Sequence, residues 1–102
     1  MTEQPEFKEQ EVHLQIELDE AVAQGLYSNL VVSNFNRDEF FLDFIFVQPH
    51  LPKGKVKARI LLSPRKAKLL SQLLMSQIME YEKKLGPIQE DPSFGGVKLS
   101  FN

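Results

Sequence analysis

Few side chains in this 102-residue sequence could do chemistry. Asp43 is the one charge in the apolar run Phe-Phe-Leu-Asp-Phe-Ile-Phe-Val at 40–47, and a carboxylate in apolar surroundings is a common form of general acid or base. His13 and His50 are the only histidines, and there is no cysteine. No His-x-x-x-His pair, thiolate cluster or Asp-rich calcium loop occurs, so no metal site is expected. Gly-x-Ser-x-Gly and Gly-rich phosphate loops are also missing. The pairs Glu9/Glu11 and Glu90/Asp91 sit near the chain ends, where mobility would spoil the fixed geometry that acid–base catalysis needs. The sequence therefore names no catalytic residue and no cofactor, and the expectation is that this is not an enzyme.

One polar feature rises above background. Lys53, Lys55, Lys57, Arg59, Arg65, Lys66 and Lys68 fall within 16 positions, in a stretch (44–79) with no acidic residue. Residues 1–43 hold ten acidic and two basic side chains, so a net charge of −2 conceals strong segregation. Ser63, Arg65, Lys66 and Lys68 crowd the start of a helix, where free amides and cations together suit a phosphate or an acidic peptide. The blander readings are lysines that guard a sheet edge and cations that are merely solvated. Weak anion or nucleic-acid binding is thus the alternative function. No stacking motif for RNA is present.

Positioning these groups falls to one domain of about a hundred residues. Residues 1–10 read as a mobile acidic arm, 11–87 as a single α+β domain, and 88–102 as a flexible tail in which Val97, Leu99 and Phe101 alternate like a short terminal strand. No apolar run reaches ~20 residues and no signal-peptide core is visible, so a cytoplasmic protein off the membrane is expected. The segment 63–86 has every mark of one helix: Ser63 as cap, Pro64 at the first position, Lys83 and Lys84 in the last turn, Gly86 then Pro87 at the end. Ala67, Leu70, Leu74, Ile78, Tyr81 and Leu85 form its apolar stripe.

Four segments before it read as strands: 11–18, 26–33 and 55–62 by their period of two, and 39–47 as a run apolar on both faces except at Asp43. Short connections favour antiparallel neighbours. Centring the three loops pairs Leu18 with Leu26, Leu14 with Leu30 and Val12 with Val32. It then pairs Val32 with Phe40, Leu30 with Leu42 and Leu26 with Phe46, and finally Phe40 with Leu62, Leu42 with Ile60 and Phe44 with Ala58. The expected fold is a four-stranded antiparallel β-meander, order 1-2-3-4, with one long C-terminal α-helix packed on one face. Val56, Ile60 and Leu62 join the helix-facing core. Gln15, Asn29, Asp43 and Arg59 form a structural polar row on the opposite face. Tyr27, Val31, Phe41, Ile45, Val47 and Leu61 flank that row and make the face too apolar to stay bare.

The segments Phe-Leu-Asp-Phe at 41–44 and Ala-Arg-Ile-Leu-Leu-Ser-Pro at 58–64, with Tyr-Glu-Lys-Lys-Leu-Gly at 81–86, resemble a small prokaryotic family filed as a domain of unknown function, family 3467. The resemblance covers roughly residues 12–88 and implies no assigned activity. In topology alone, a four-stranded meander followed by a long helix is similar to the SecB export chaperone. The reading that results is a non-enzymatic protein-interaction or adaptor module, chaperone-like in one variant. It uses the second sheet face (Tyr27, Val31, Phe41, Ile45, Leu61) toward a protein partner or its own copy in a homodimer.

Overall fold

The computed structural model describes residues 12–92 and 98–101. Its elements are a single helical turn α1 (Glu20–Ala23), three strands β1 (Leu30–Phe35), β2 (Phe40–Val47) and β3 (Gly54–Leu62), and the long helix α2 (Pro64–Leu85). The strands form one antiparallel sheet in the order β1-β2-β3. The α+β class, the antiparallel sheet and the C-terminal helix agree with the sequence. The fourth strand does not. Among the described residues, the segment 12–18 has no partner strand, and Val12, Leu14, Ile16 and Leu18 are between 67% and 82% exposed. The cause lies in the connection. Residues 20–23 close a helical turn (Ala23 N donates to Asp19 O at 2.8 Å), whereas a hairpin loop has two to five residues. The arm 1–10 and Val97 of the tail lie outside the described residues, and residues 98–101 form no strand.

Helix α2 begins and ends where its caps place it. Ser63 Oγ accepts from Lys66 N at 3.3 Å, Pro64 follows, and Gly86 takes φ of 100°, a backbone that only glycine adopts without strain. Glu82 holds the exit: its carbonyl accepts from Gly86 N at 3.0 Å and its carboxylate from Ile88 N at 2.9 Å.

The β2–β3 register is the expected one, with Phe40 opposite Leu62, Leu42 opposite Ile60 and Asp43 opposite Arg59. Beyond Ala58 the ladder shifts by one residue, so Val56 falls opposite Ile45 and leaves the helix-facing set. The β1–β2 register departs by three residues: Leu30 faces Ile45, Val32 faces Asp43 and Phe35 faces Phe40. The turn explains this. Asn36 Oδ1 accepts from Asp38 N and Glu39 N, both at 2.9 Å, and Asn36 N donates to Glu39 O. That side chain builds a four-residue loop in place of a symmetric one centred on 36. Phe35 then stacks on Phe40 at 5.4 Å. An odd shift turns a strand over. Leu30 and Val32 therefore share the face of Asp43, while Val31 and Phe35 share the face of Phe44.

The helix lies on the Leu42, Phe44, Ile60 and Leu62 side, where an open cleft of about 390 Å³ separates it from the sheet. The deepest burial is on the other side of the central strand, at Ile45 and Asp43, each 5% exposed. Gly54 belongs to that packing. A Cβ there would stand 3.0 Å from Ile45 Cγ2 and 3.2 Å from Val47 Cγ2. Gly54→Ala should therefore lose about 1 kcal/mol, the overpacking cost of ~1–3 kcal/mol exceeding the ~0.4–1 kcal/mol gained from a stiffer unfolded chain. Urea unfolding at fixed m-value checks it; a stabilised variant would show that Ile45 can give way.

Candidate functional site

The face opposite the helix is built by β2 and β3 with the end of β1. At its centre Arg59 Nε donates to Asp43 Oδ1 at 2.7 Å and Arg59 Nη2 to Asp43 Oδ2 at 2.9 Å, a two-pronged clamp across neighbouring strands. The Asp43 side chain is 7% exposed and that of Arg59 56%, so the guanidinium roofs the carboxylate while keeping one side in water. Its carbon also sits 5.8 Å from the Phe41 ring centroid, within cation–π reach.

The hydrogen bonds from Arg59 hold the Asp43 carboxyl below its ordinary value. Burial pushes the other way, and the guanidinium charge adds a smaller downward pull. Arg59 is raised in turn, first by the same hydrogen bonds and then by the carboxylate charge. Both Asp43 oxygens are engaged and the group stays ionised near neutrality. The geometry suits a fixed strut between strands better than a proton donor or acceptor.

The remaining residues of the expected row go elsewhere. Asn29 is not beside Asp43, whose β1 neighbour is Val32. Its amide instead extends the ladder by one step, donating to Val47 O at 3.0 Å and accepting from Val47 N at 2.8 Å. Gln15 lies in the unpaired segment. Of the five residues expected on this face, Phe41, Ile45 and Leu61 share it with Asp43. Val31 lies opposite Phe44 on the helix side, and Tyr27 packs edge-on against Phe46 at 6.1 Å, both consequences of the odd shift of β1. Leu30 and Val32 take their place. The signal for them was Asn36: read as a cap of the turn, it moves the loop centre.

Ser63, Arg65, Lys66 and Lys68 do crowd the start of α2, though the Ser63 hydroxyl is already spent on Lys66 N. Among the described residues none of Lys53, Lys55, Lys57, Arg65, Lys66 and Lys68 forms an ion pair. Lys55 and Lys57 lie on β3, and Arg65, Lys66 and Lys68 in the first turns of α2. Lys66 lines the cleft under the helix with Leu69, Leu70 and Leu73; of the expected stripe Ala67 and Leu70 are half-buried, and Leu74, Ile78, Tyr81 and Leu85 are exposed. Among the described residues no group of three potential ligands stands ready for a metal ion, and no helix is long and apolar enough to cross a membrane.

The chain belongs to the family described as protein of unknown function (DUF3467), whose model matches residues 1–90. Neither the curated proteins nor the solved structures contain a match. The three-stranded sheet also departs from the four-stranded meander on which the likeness to SecB rested.

Proposed function

We propose that this member of the family is a non-enzymatic protein-interaction module, presenting the sheet face around the Asp43–Arg59 clamp to an apolar segment of another polypeptide. The observation that carries this reading is the make-up of that face. Leu61 is 50% exposed and Val56 39%, next to half-buried Phe41, Leu30 and Val32, while the long helix occupies the other side. A bidentate pair at the centre stiffens the two strands that bear these groups, so little order is lost on binding. The exposed guanidinium gives a polar anchor within an apolar patch, the usual composition of a binding hot spot. Chaperone-like capture of apolar clients is the same reading with many partners.

The basic block supports a second reading, weak binding of anions or nucleic acid, because its lysines lack acidic partners among the described residues. Salt separates the two. Immobilised protein should retain its partners from host extract at high salt and after nuclease treatment. Leu61→Glu should lower retention about 10- to 100-fold, as expected when ~1.5–3 kcal/mol of apolar burial is lost. Partners released by salt or nuclease, or held equally by Leu61→Glu, would move the function to the cations.

A further inference from the structure

The helix side of the sheet poses a separate question. Residues 12–18 have the alternation of a strand, yet among the described residues no strand of their own chain pairs with them. Leu14 is 79% and Ile16 82% exposed. Along α2 the same happens: Leu73, Leu74 and Met79 are half exposed or more, and the cleft beneath the first half of the helix is lined by Leu42, Phe44, Ile60 and Leu62 without being filled. The whole chain exposes 9962 Å². Even if the residues outside the described set are given the full area of an extended chain, the rest shows roughly 2,000 Å² more than a compact monomer of its mass. An obligate homodimer hides about 1,000–2,500 Å² per chain.

Charge says which edge is meant. The outer edge of β3 carries Lys55 and Lys57, with Lys53 just before it. Such an edge repels a second β3. It does suit an acidic strand, and residues 12–18 contain Glu17 and run directly into Asp19 and Glu20. The other free edge, β1, carries no charged residue and would leave the segregation of charge along the chain without a use.

We propose that a second copy of this chain completes the helix side by strand exchange: residues 12–18 of each copy lie along the outer edge of the other's β3, with Val12, Leu14, Ile16 and Leu18 turned under α2. Each exchanged segment gains a hydrogen-bonded ladder, fills the cleft and brings an acidic stretch of chain to the edge that holds Lys55 and Lys57. Exchange of one identical element between copies is a low-cost route to a closed two-fold dimer. The added strand brings His13, Gln15 and Glu17 to the margin of the clamp side, beside β3 and not over it, so the dimer stands independently of the partner reading.

The chain has no cysteine, so any disulfide reports an engineered pair. The 102-residue chain should show twice its 11.8 kDa mass by light scattering. The double change Leu14→Asp and Ile16→Asp should raise the dimer dissociation constant at least 100-fold and leave the circular dichroism of α2 in place. Gln15→Cys, which the exchange would put on the clamp side, combined with Val56→Cys or Leu61→Cys of β3 should give, on mild oxidation, a covalent dimer. Gln15→Cys with Val32→Cys or Asn34→Cys, on the same face of β1, should not. A chain-mass particle independent of concentration, a dimer indifferent to Leu14→Asp and Ile16→Asp, an intramolecular disulfide, or cross-linking through β1 would each overturn the proposal. Retention of partners by the clamp face, and its loss in Leu61→Glu, would be unaffected by any of these results.

Discussion

Replacing Ile45 by alanine is expected to remove about 2–4 kcal/mol of stability, the range for truncating a buried aliphatic side chain whose cavity cannot collapse. Ile45 is the one large apolar residue with only 5% exposure among the described residues, and it sits on the central strand between β1 and β3. A domain of this size holds roughly 5–15 kcal/mol in all, so the loss is a large share of the total. With an m-value of about 1–3 kcal/mol/M the urea midpoint should fall by about 1–2 M. Leu61→Ala, on the same face but half exposed, should cost about 1 kcal/mol or less. Equal losses at the two positions would show that Ile45 is not the keystone of the sheet. Gly54 supplies an internal check. Its missing Cβ faces Ile45 Cγ2 at 3.0 Å, so Gly54→Ala should be tolerated better once Ile45 is alanine, and a double-mutant cycle should show a coupling of that sign.

The parts of this fold that were legible in the sequence are those decided locally. Ser63, Pro64, Gly86 and Pro87 bracket α2 through groups within a few residues of one another, and the helix obeys them to the residue. The β2–β3 pairing could be read because Phe40, Leu42 and Phe44 have apolar partners only if Leu62, Ile60 and Ala58 face them, which also brings Asp43 to Arg59. The β1–β2 pairing could not. Residues 30–32 are apolar on both faces, so burial does not tell one register from another, and a single side chain, Asn36, settles it through two backbone amides. From that one turn come the displaced Asn29, the transfer of Tyr27 and Val31 to the helix side, and the arrival of Leu30 and Val32 beside the clamp. Residues 12–18 show a different limit. Their alternation states that they want one buried face, but not which strand, or which chain, will supply the neighbour.

The clamp itself should declare its chemistry through pH. In the native chain the Asp43 carboxyl titrates below its unfolded value because Arg59 donates two hydrogen bonds to it. Between the two values the unfolded state binds more protons, so stability rises with pH there. This contribution is complete above about pH 5 and is lost as the pH falls through the ordinary aspartate range and below. Arg59→Leu removes both hydrogen bonds and the charge, leaving burial as the influence that remains, and burial raises a carboxyl. The sign then inverts: the folded state holds its proton more tightly than the unfolded one, and stability drops as the pH climbs through the unfolded value. Arg59→Leu should thus be clearly destabilised at pH 7 and recover part of the loss near pH 4, where Asp43 can go neutral. Asp43→Asn should lose the acid dependence and sit between the two at pH 7. The pair Asp43→Asn with Arg59→Leu should be more stable at pH 7 than Arg59→Leu alone, because no buried charge is left without its partner. Thermal unfolding of the four proteins from pH 3 to 8 decides the matter. If Arg59→Leu follows the native profile at a constant offset, the carboxylate is solvated well enough to manage without Arg59, and the clamp is a surface ion pair that does not stiffen the face on which the proposed interaction rests.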